Sequence, residues 1–168
     1  MSSVTRTVTV PTAEDMYALG RRLGGRLVAG DLVILSGALG AGKTTLTRGI
    51  GAGLQVRGPV TSPTFVLART HPSLSGGPAM VHADAYRLGS AAELADLDID
   101  FDGAVVVVEW GAGLLDGVNE SWLTVQLDRA LGADRLPVDD AADPRRVTIT
   151  ARGPRWQNDH PLRDAEYT

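Results

Sequence analysis

Residues 37–44 read Gly37, Ala38, Leu39, Gly40, Ala41, Gly42, Lys43, Thr44, which is glycine, four residues, glycine, lysine, threonine, with a third glycine inside. No other stretch restricts the fold as tightly, because this spacing forms a phosphate-cradling loop only where a strand feeds it and a helix leaves it. Both flanks comply. Residues 31–36 hold Leu32, Val33, Ile34 and Leu35, an apolar run of strand length, and residues 45–50 can continue as a helix. The glycines let backbone N–H groups converge on phosphate oxygens, Lys43 places a point charge at the outer phosphates, and Thr44 offers its hydroxyl to Mg²⁺.

The rest of the chain reads as alternating elements. Val4, Thr5, Thr7, Val8, Thr9 and Val10 are β-branched and suit a first strand; Thr12 with Asp15 then resembles a helix cap, with Met16, Leu19, Leu23 and Leu27 at helical spacing. After the loop helix, a strand is expected at residues 65–68 and loop at 71–78. A short strand at 80–83 ends at Asp84, and Ser90 with Glu93 opens a helix expected to reach Leu97. Residues 105–108 are four valines followed by Glu109, the pattern of a strand buried on both faces in a parallel sheet, with a carboxylate at the edge where ligands of such sheets bind. Residues 122–127 and 147–151 alternate as two further strands, expected to form an antiparallel part of the sheet.

The 168 residues suffice for one domain with a real core. The expectation is a single-domain α/β P-loop NTPase fold over residues 1–152, with a mixed, largely parallel central sheet flanked by helices. A flexible, loosely draped tail is expected over residues 153–168, where Gly153, Pro154, Asn158 and Pro161 interrupt any periodicity. The 16 basic against 20 acidic residues, a net charge of -4, disfavour a broad DNA- or RNA-binding surface. The chain has no cysteine, hence no disulfide frame or thiolate site, which suits a reducing cytoplasm. No segment has the apolar length of a signal peptide or membrane span, so a soluble cytoplasmic protein is expected.

A phosphate loop acting on a triphosphate needs a carboxylate near the Mg²⁺ held by Thr44. Glu109, on the better strand, is the first choice, the alternative being an exposed strand-end carboxylate. Asp84 is the second candidate: it suits a metal-bound water or the attacking water, or else it caps the turn near Tyr86. Thr61, Ser62 and Thr64 form a hydroxyl-rich loop where switch segments sense a γ-phosphate, or where Pro63 directs an ordinary turn. Trp110 suits stacking on a base or filling the core. His82 reads as a strand histidine rather than a ligand. Leu74, Ser75, Gly76 and Gly77 spell the opening of the transporter-ATPase signature, but they fall in a loop and are followed at once by strand residues, so that reading is rejected.

Four motifs in order resemble the TsaE (YjeE) family: the loop with Leu39, Gly40, Ala41, Gly42, Lys43, Thr44 and Thr45; Thr61-Ser62-Pro63-Thr64-Phe65; His82-x-Asp84-x-Tyr86-Arg87-Leu88; and Val108-Glu109-Trp110. The resemblance covers residues 10–152. It implies a small ATPase using ATP and Mg²⁺ that works with TsaB-like and TsaD-like partners in threonylcarbamoylating the adenosine beside the anticodon of certain tRNAs. The tRNA is engaged through that complex, and the transfer occurs in the partner. By the same resemblance, Lys43 and Thr44 hold phosphate and Mg²⁺, Glu109 completes the metal site, and Asp84 supports hydrolysis. Residues 61–64 are then the switch-like loop, and Arg145 or Arg146 stands near the nucleotide. The chain departs from the family at Ala38, where an acidic residue is common, and at Gly111, Ala112 and Gly113, where a Pro or acidic residue soon follows the Glu-Trp pair.

Other classes fit less well. A small-molecule kinase needs an arginine-bearing lid, and no compact basic lid lies between Glu109 and Trp122. A guanine-nucleotide switch needs an Asn-Lys-x-Asp motif that the chain lacks, which favours adenine. A scaffold that binds nucleotide without hydrolysing it is not separated from a slow ATPase by sequence.

Overall fold

The valines at 105–108 have no exposed surface, and the strand they form, β5 (Val105–Glu109), lies between β2 (Leu32–Gly37) and β4 (Met80–Asp84), parallel to both. Burial on both faces explains why the run is continuous rather than alternating. The computed structural model describes residues 3–38, 40–61, 68–86, 90–110, 113, 115, 117–129 and 144–163. On the other side of β2, β6 (Trp122–Arg129) is also parallel, and three antiparallel strands complete the sheet: β7 (Arg145–Arg152) on β6, β1 (Ser3–Val10) on β7, and β3 (Ala68–His71) on β4. The order is β1-β7-β6-β2-β5-β4-β3. This is the mixed α/β sheet that the alternation of elements predicts, with its parallel strands at the centre.

One face of the sheet carries α1 (Ala13–Arg26) and α2 (Lys43–Leu54), whose Leu19, Leu23, Leu46 and Ile50 share a core with Val33, Leu35, Val105 and Val107. Thr12 caps α1 as expected, its hydroxyl oxygen accepting the Asp15 N–H at 3.1 Å. The two helices approach through glycines. A Cβ placed on Gly20 would lie 2.9 Å from the Gly49 Cα, and one on Gly53 would lie 2.9 Å from the Gly25 N. The opposite face is covered by Leu94 of α3 (Ala91–Ala95) with Leu97, Ile99 and Phe101, packed near Ile34, Val81, Val106 and Val108. Among the described residues no helix is long and apolar enough to cross a membrane.

Three expectations shift. A strand, Ala68–His71, reaches one residue into the loop expected at 71–78; it is an edge strand whose exposed Arg69 and Thr70 match its outward position, while Phe65, Val66 and Leu67 of the strand expected at 65–68 lie outside the described residues. The helix capped by Ser90 ends at Ala95, two residues short of Leu97. The third concerns the tail, because residues 153–163 pack against the domain. Gly153, at φ +92°, redirects the chain into a 3-10 turn, Pro154–Trp156; Trp156 and Leu162 are buried, and Arg155 Nε donates to the buried Asp31 Oδ1 at 3.2 Å. Its glycine and prolines prevent a long regular element, yet its apolar anchors still reach the core.

His160 fastens this segment. Its Nε2 lies 3.3 Å from the Ile149 carbonyl, and its Nδ1 accepts the Leu162 N–H at 3.0 Å, which together define a neutral ring protonated on Nε2. Burial pushes the His160 pKa down, and Arg6 and Arg26 push the same way against the backbone groups at Ile149 and Val4. Burial also lowers His71. The unfolded chain therefore takes up these protons first, near the ordinary histidine value of about 6.5. Their contribution to stability is complete above that pH and declines as pH falls through it toward the lower folded values. Thermal melts should show a lower Tm at pH 5.5 than at 7.5, with a shallower dependence in His160→Gln. A Tm that rises on acidification over this interval would contradict the assignment.

Candidate nucleotide site

The phosphate loop joins the end of β2 to the start of α2, so its backbone N–H groups and the helix N-terminus open at the carboxyl edge of the parallel strands. Gly40 (φ +79°) and Gly42 (φ +108°) occupy left-handed conformations that the turn requires. A Cβ on Gly40 would meet nothing within 4 Å, whereas one on Gly42 would press on Met16, so the two glycines serve different ends. Ala41 is buried, and Ala38 O accepts its N–H at 3.0 Å. Leu39 lies outside the described residues.

Lys43 is buried at the head of α2 and folds back on its own loop. Its Nζ donates to Gly37 O at 2.7 Å and Ala38 O at 3.0 Å and stands 4.0 Å from the centre of the Trp110 ring. Burial lowers the Lys43 pKa, and the carboxylates of Glu109 and Asp84 oppose that shift. Both therefore lie close enough for their charge to be felt at the ammonium. Thr44 and Thr45 are half-buried in the first turn of α2, and Thr47, one turn on, donates its hydroxyl to Lys43 O at 2.8 Å.

The two candidate carboxylates sit side by side, Asp84 and Glu109 being register partners at the ends of β4 and β5. Glu109 is 4% exposed, which removes the alternative of an exposed strand-end acid, and its Oε1 has no hydrogen-bond partner among the described residues. Asp84 is half-buried, and its Oδ1 accepts the Tyr86 N–H at 2.9 Å, the turn-capping contact that the sequence left open. Trp110 does not fill the core. It is half-buried with φ +64°, and its ring meets that of the exposed Tyr86 at 5.5 Å between centroids, roofing Lys43. Thr61 is exposed, while Ser62 and Thr64 lie outside the described residues, so the hydroxyl loop is placed only at its first member.

Arg145, at the start of β7, donates from Nε to Ala41 O at 3.2 Å and from a terminal nitrogen to Gly40 O at 3.3 Å. It thus holds the outer carbonyls of the loop while Lys43 holds the inner ones. His82 is the strand histidine that the sequence suggests, in β4 and fully buried, but its neighbour is not legible there: its Nε2 lies 3.5 Å from Glu109 Oε1. The available signal was parity: His82 and Asp84 are two apart on one strand and so share a face. No group of three or more His, Asp and Glu able to enclose a metal occurs among the described residues. A hydroxyl, one or two carboxylates and the phosphates themselves are the donor set typical of nucleotide-bound Mg²⁺.

Comparison with known proteins gives the family of the chain and a solved structure of like fold. The profile of the family described as "Threonylcarbamoyl adenosine biosynthesis protein TsaE" matches residues 10–135. The protein of Streptomyces coelicolor named "tRNA threonylcarbamoyladenosine biosynthesis protein TsaE" is 57% identical over 144 residues, covering 84% of this chain and 93% of that protein. The protein of the same name from Mycobacterium tuberculosis is 53% identical over 137 residues, covering 76% of this chain and 82% of its own. The crystal structure of Bacillus subtilis YdiB superposes with a TM-score of 0.71 at 28% identity, over 93% of this chain and 91% of that one. The motifs, the loop between β2 and α2, and these relatives lead to one conclusion: the chain belongs to the TsaE family of P-loop nucleotide-binding proteins.

Proposed function

We propose that this chain is the Mg²⁺-dependent ATPase component of threonylcarbamoyladenosine formation on tRNA, acting through TsaB-like and TsaD-like partners in the cytoplasm. The observation that carries the reading is the meeting of three charged groups at one sheet edge, with the Lys43 ammonium inside the glycine loop and Glu109 and Asp84 paired beside it. The groups present fit a Mg²⁺ nucleotide. The loop is open at Gly40, and Glu109 has a buried carboxylate oxygen lacking a partner among the described residues.

In this reading Lys43 leaves the Gly37 and Ala38 carbonyls for the β- and γ-phosphates, and the loop N–H groups orient the chain of phosphates. Thr44 and Glu109 would hold Mg²⁺, which when bound neutralises charge on the β- and γ-oxygens. Asp84 orients the water that attacks the γ-phosphorus, breaking its bond to the bridging oxygen and releasing ADP and phosphate. Trp110 lies over the lysine, where it registers whether Lys43 faces its own loop or a ligand, and the exposed Tyr86 packed against Trp110 carries that difference to the surface a partner meets.

The decisive experiment reconstitutes the modification on tRNA from the partner proteins with and without this chain while counting ATP hydrolysed. Modified adenosine should accumulate over repeated turnovers only when the chain and ATP are both present. Modification that proceeds equally without the chain would overturn the proposal, and phosphate appearing on a small acceptor instead of in water would make the protein a kinase.

A further inference from the structure

We propose that His82 is a positioning residue for Glu109: its Nε2–H fixes the rotation of that carboxylate, and so the direction of the oxygen offered to the metal. The inference rests on the reading of Glu109 as the metal-side carboxylate. His82 has no exposed surface, and neither ring nitrogen has a hydrogen-bond partner among the described residues. Leaving a buried polar group unpaired is costly, a penalty that an aliphatic side chain in this strand would avoid. Glu109 Oε1 lacks a partner in the same way, and these two orphaned atoms face each other at 3.5 Å.

Strand parity makes the juxtaposition fixed rather than incidental. Met80 shares its core with Val105 and Val107, whereas Val81 and Ala83 belong to the core on the other side. His82 and Asp84 therefore lie on the Met80 face, and Glu109 lies on the Val107 face, which is the same side of the sheet as α2 and Lys43. Since His82 pairs with Val107 and Asp84 with Glu109, the imidazole sits one step below the acid, directed at it from the adjacent strand. A separation of 3.5 Å exceeds an ordinary N–H···O bond, but a small rotation of the carboxylate closes it. Contacts of this kind commonly tighten only when ligand is bound. Asp84 already accepts the Tyr86 N–H, so its position is fixed by other means. An imidazole that orients a metal-side carboxylate is the mirror of the familiar carboxylate that orients a metal-bound imidazole.

The test uses the full chain with a fluorescent non-hydrolysable ATP analogue, titrated in EDTA and across a Mg²⁺ series. His82→Leu and His82→Gln should both bind the analogue in EDTA within about twofold of the unaltered chain, since metal positioning is not in play there. With Mg²⁺, His82→Leu should raise the midpoint of the metal-dependent gain about tenfold, and His82→Gln, which keeps an N–H near the Nε2 position, should stay within about threefold. An unchanged midpoint in folded His82→Leu, or equal shifts in the two variants, would overturn the inference. Should His82→Leu not fold by circular dichroism, His82→Asn replaces it, because its shorter amide reaches the Nδ1 position only; equal behaviour of Asn and Gln would again overturn the proposal. Glu109→Gln separates the two levels. If it raises the Mg²⁺ midpoint while His82→Leu does not, the His82 inference fails alone; if it leaves the midpoint unchanged while nucleotide still binds, the reading of Glu109 fails and the inference with it.

Discussion

Replacing Lys43 by alanine is expected to lower affinity for ATP by at least about 100-fold while leaving the far-ultraviolet circular dichroism unchanged. Hydrogen bonds from a charged donor contribute roughly 1.5–3 kcal/mol each, and about 1.4 kcal/mol is a factor of ten, so losing two phosphate contacts suffices. The geometry adds a second effect of the same sign. Glu109 and Asp84 border Lys43, and removing the ammonium leaves two carboxylates facing the incoming phosphates without a compensating charge. Methionine at 43 should fail equally, because the volume is kept and the charge is not. Arginine should also fail, since its bulkier planar fork cannot place one compact charge between the β- and γ-phosphates as Nζ does. Titration can be followed through Trp110, the one half-buried indole, as Trp122 and Trp156 are buried away from the loop. Binding of ATP by Lys43→Ala within about threefold of the unaltered chain would remove the loop from the nucleotide site altogether.

What the sequence conveys well is what neighbouring residues settle among themselves. The phosphate loop, the Thr12 cap and the valine strand each follow from a few consecutive side chains, and the structure places them where those patterns require. Glu109 was legible as a strand-end acid but not as a buried one, because burial depends on Leu35 and Asp84 of flanking strands, far apart in sequence. Trp110 was ambiguous for the same reason: its place over Lys43 is set by its left-handed backbone and by Tyr86, neither of which a composition window reports. The tail read as loose because its glycine and prolines silence every periodic signal. What holds it, namely the buried Trp156 and Leu162, the His160 contact with Ile149 and the Arg155–Asp31 pair, depends on residues outside the segment itself. Arg145 emerged only through family resemblance, and its bonds to the loop carbonyls give that position a physical role in shaping the cradle.

The glycines of the two helices on the nucleotide side form the least legible feature, and the one with the largest expected effect on stability. Gly20 and Gly24 on α1, and Gly49 and Gly53 on α2, are each four residues apart, so each pair lines one face of its helix. Taken one helix at a time they look like defects, since glycine inside a helix is about 1 kcal/mol worse than alanine, and propensity alone predicts that Gly49→Ala would stabilise. Packing reverses the sign. A Cβ at Gly49 would collide with the Tyr17 carbonyl and stand 2.9 Å from the Gly20 Cα, contacts with backbone that no rotamer change relieves. Forcing packed elements apart costs about 1–3 kcal/mol and more where backbone must move, so the net expectation for Gly49→Ala is a loss of about 2 kcal/mol. For a chain of this size that lowers Tm by roughly 4–8 °C. Gly25→Ala is the matched control: the residue lies in α1 with nothing within 4 Å of its added Cβ, so it should gain a few tenths to about 1 kcal/mol from propensity alone. Because α2 begins at Lys43, any displacement of the helix pair is transmitted to the ammonium, and Gly49→Ala should also weaken ATP binding where Gly25→Ala does not. Equal melting temperatures for the two variants would show that the helices have room to separate, and that the close approach is not what seats the phosphate loop.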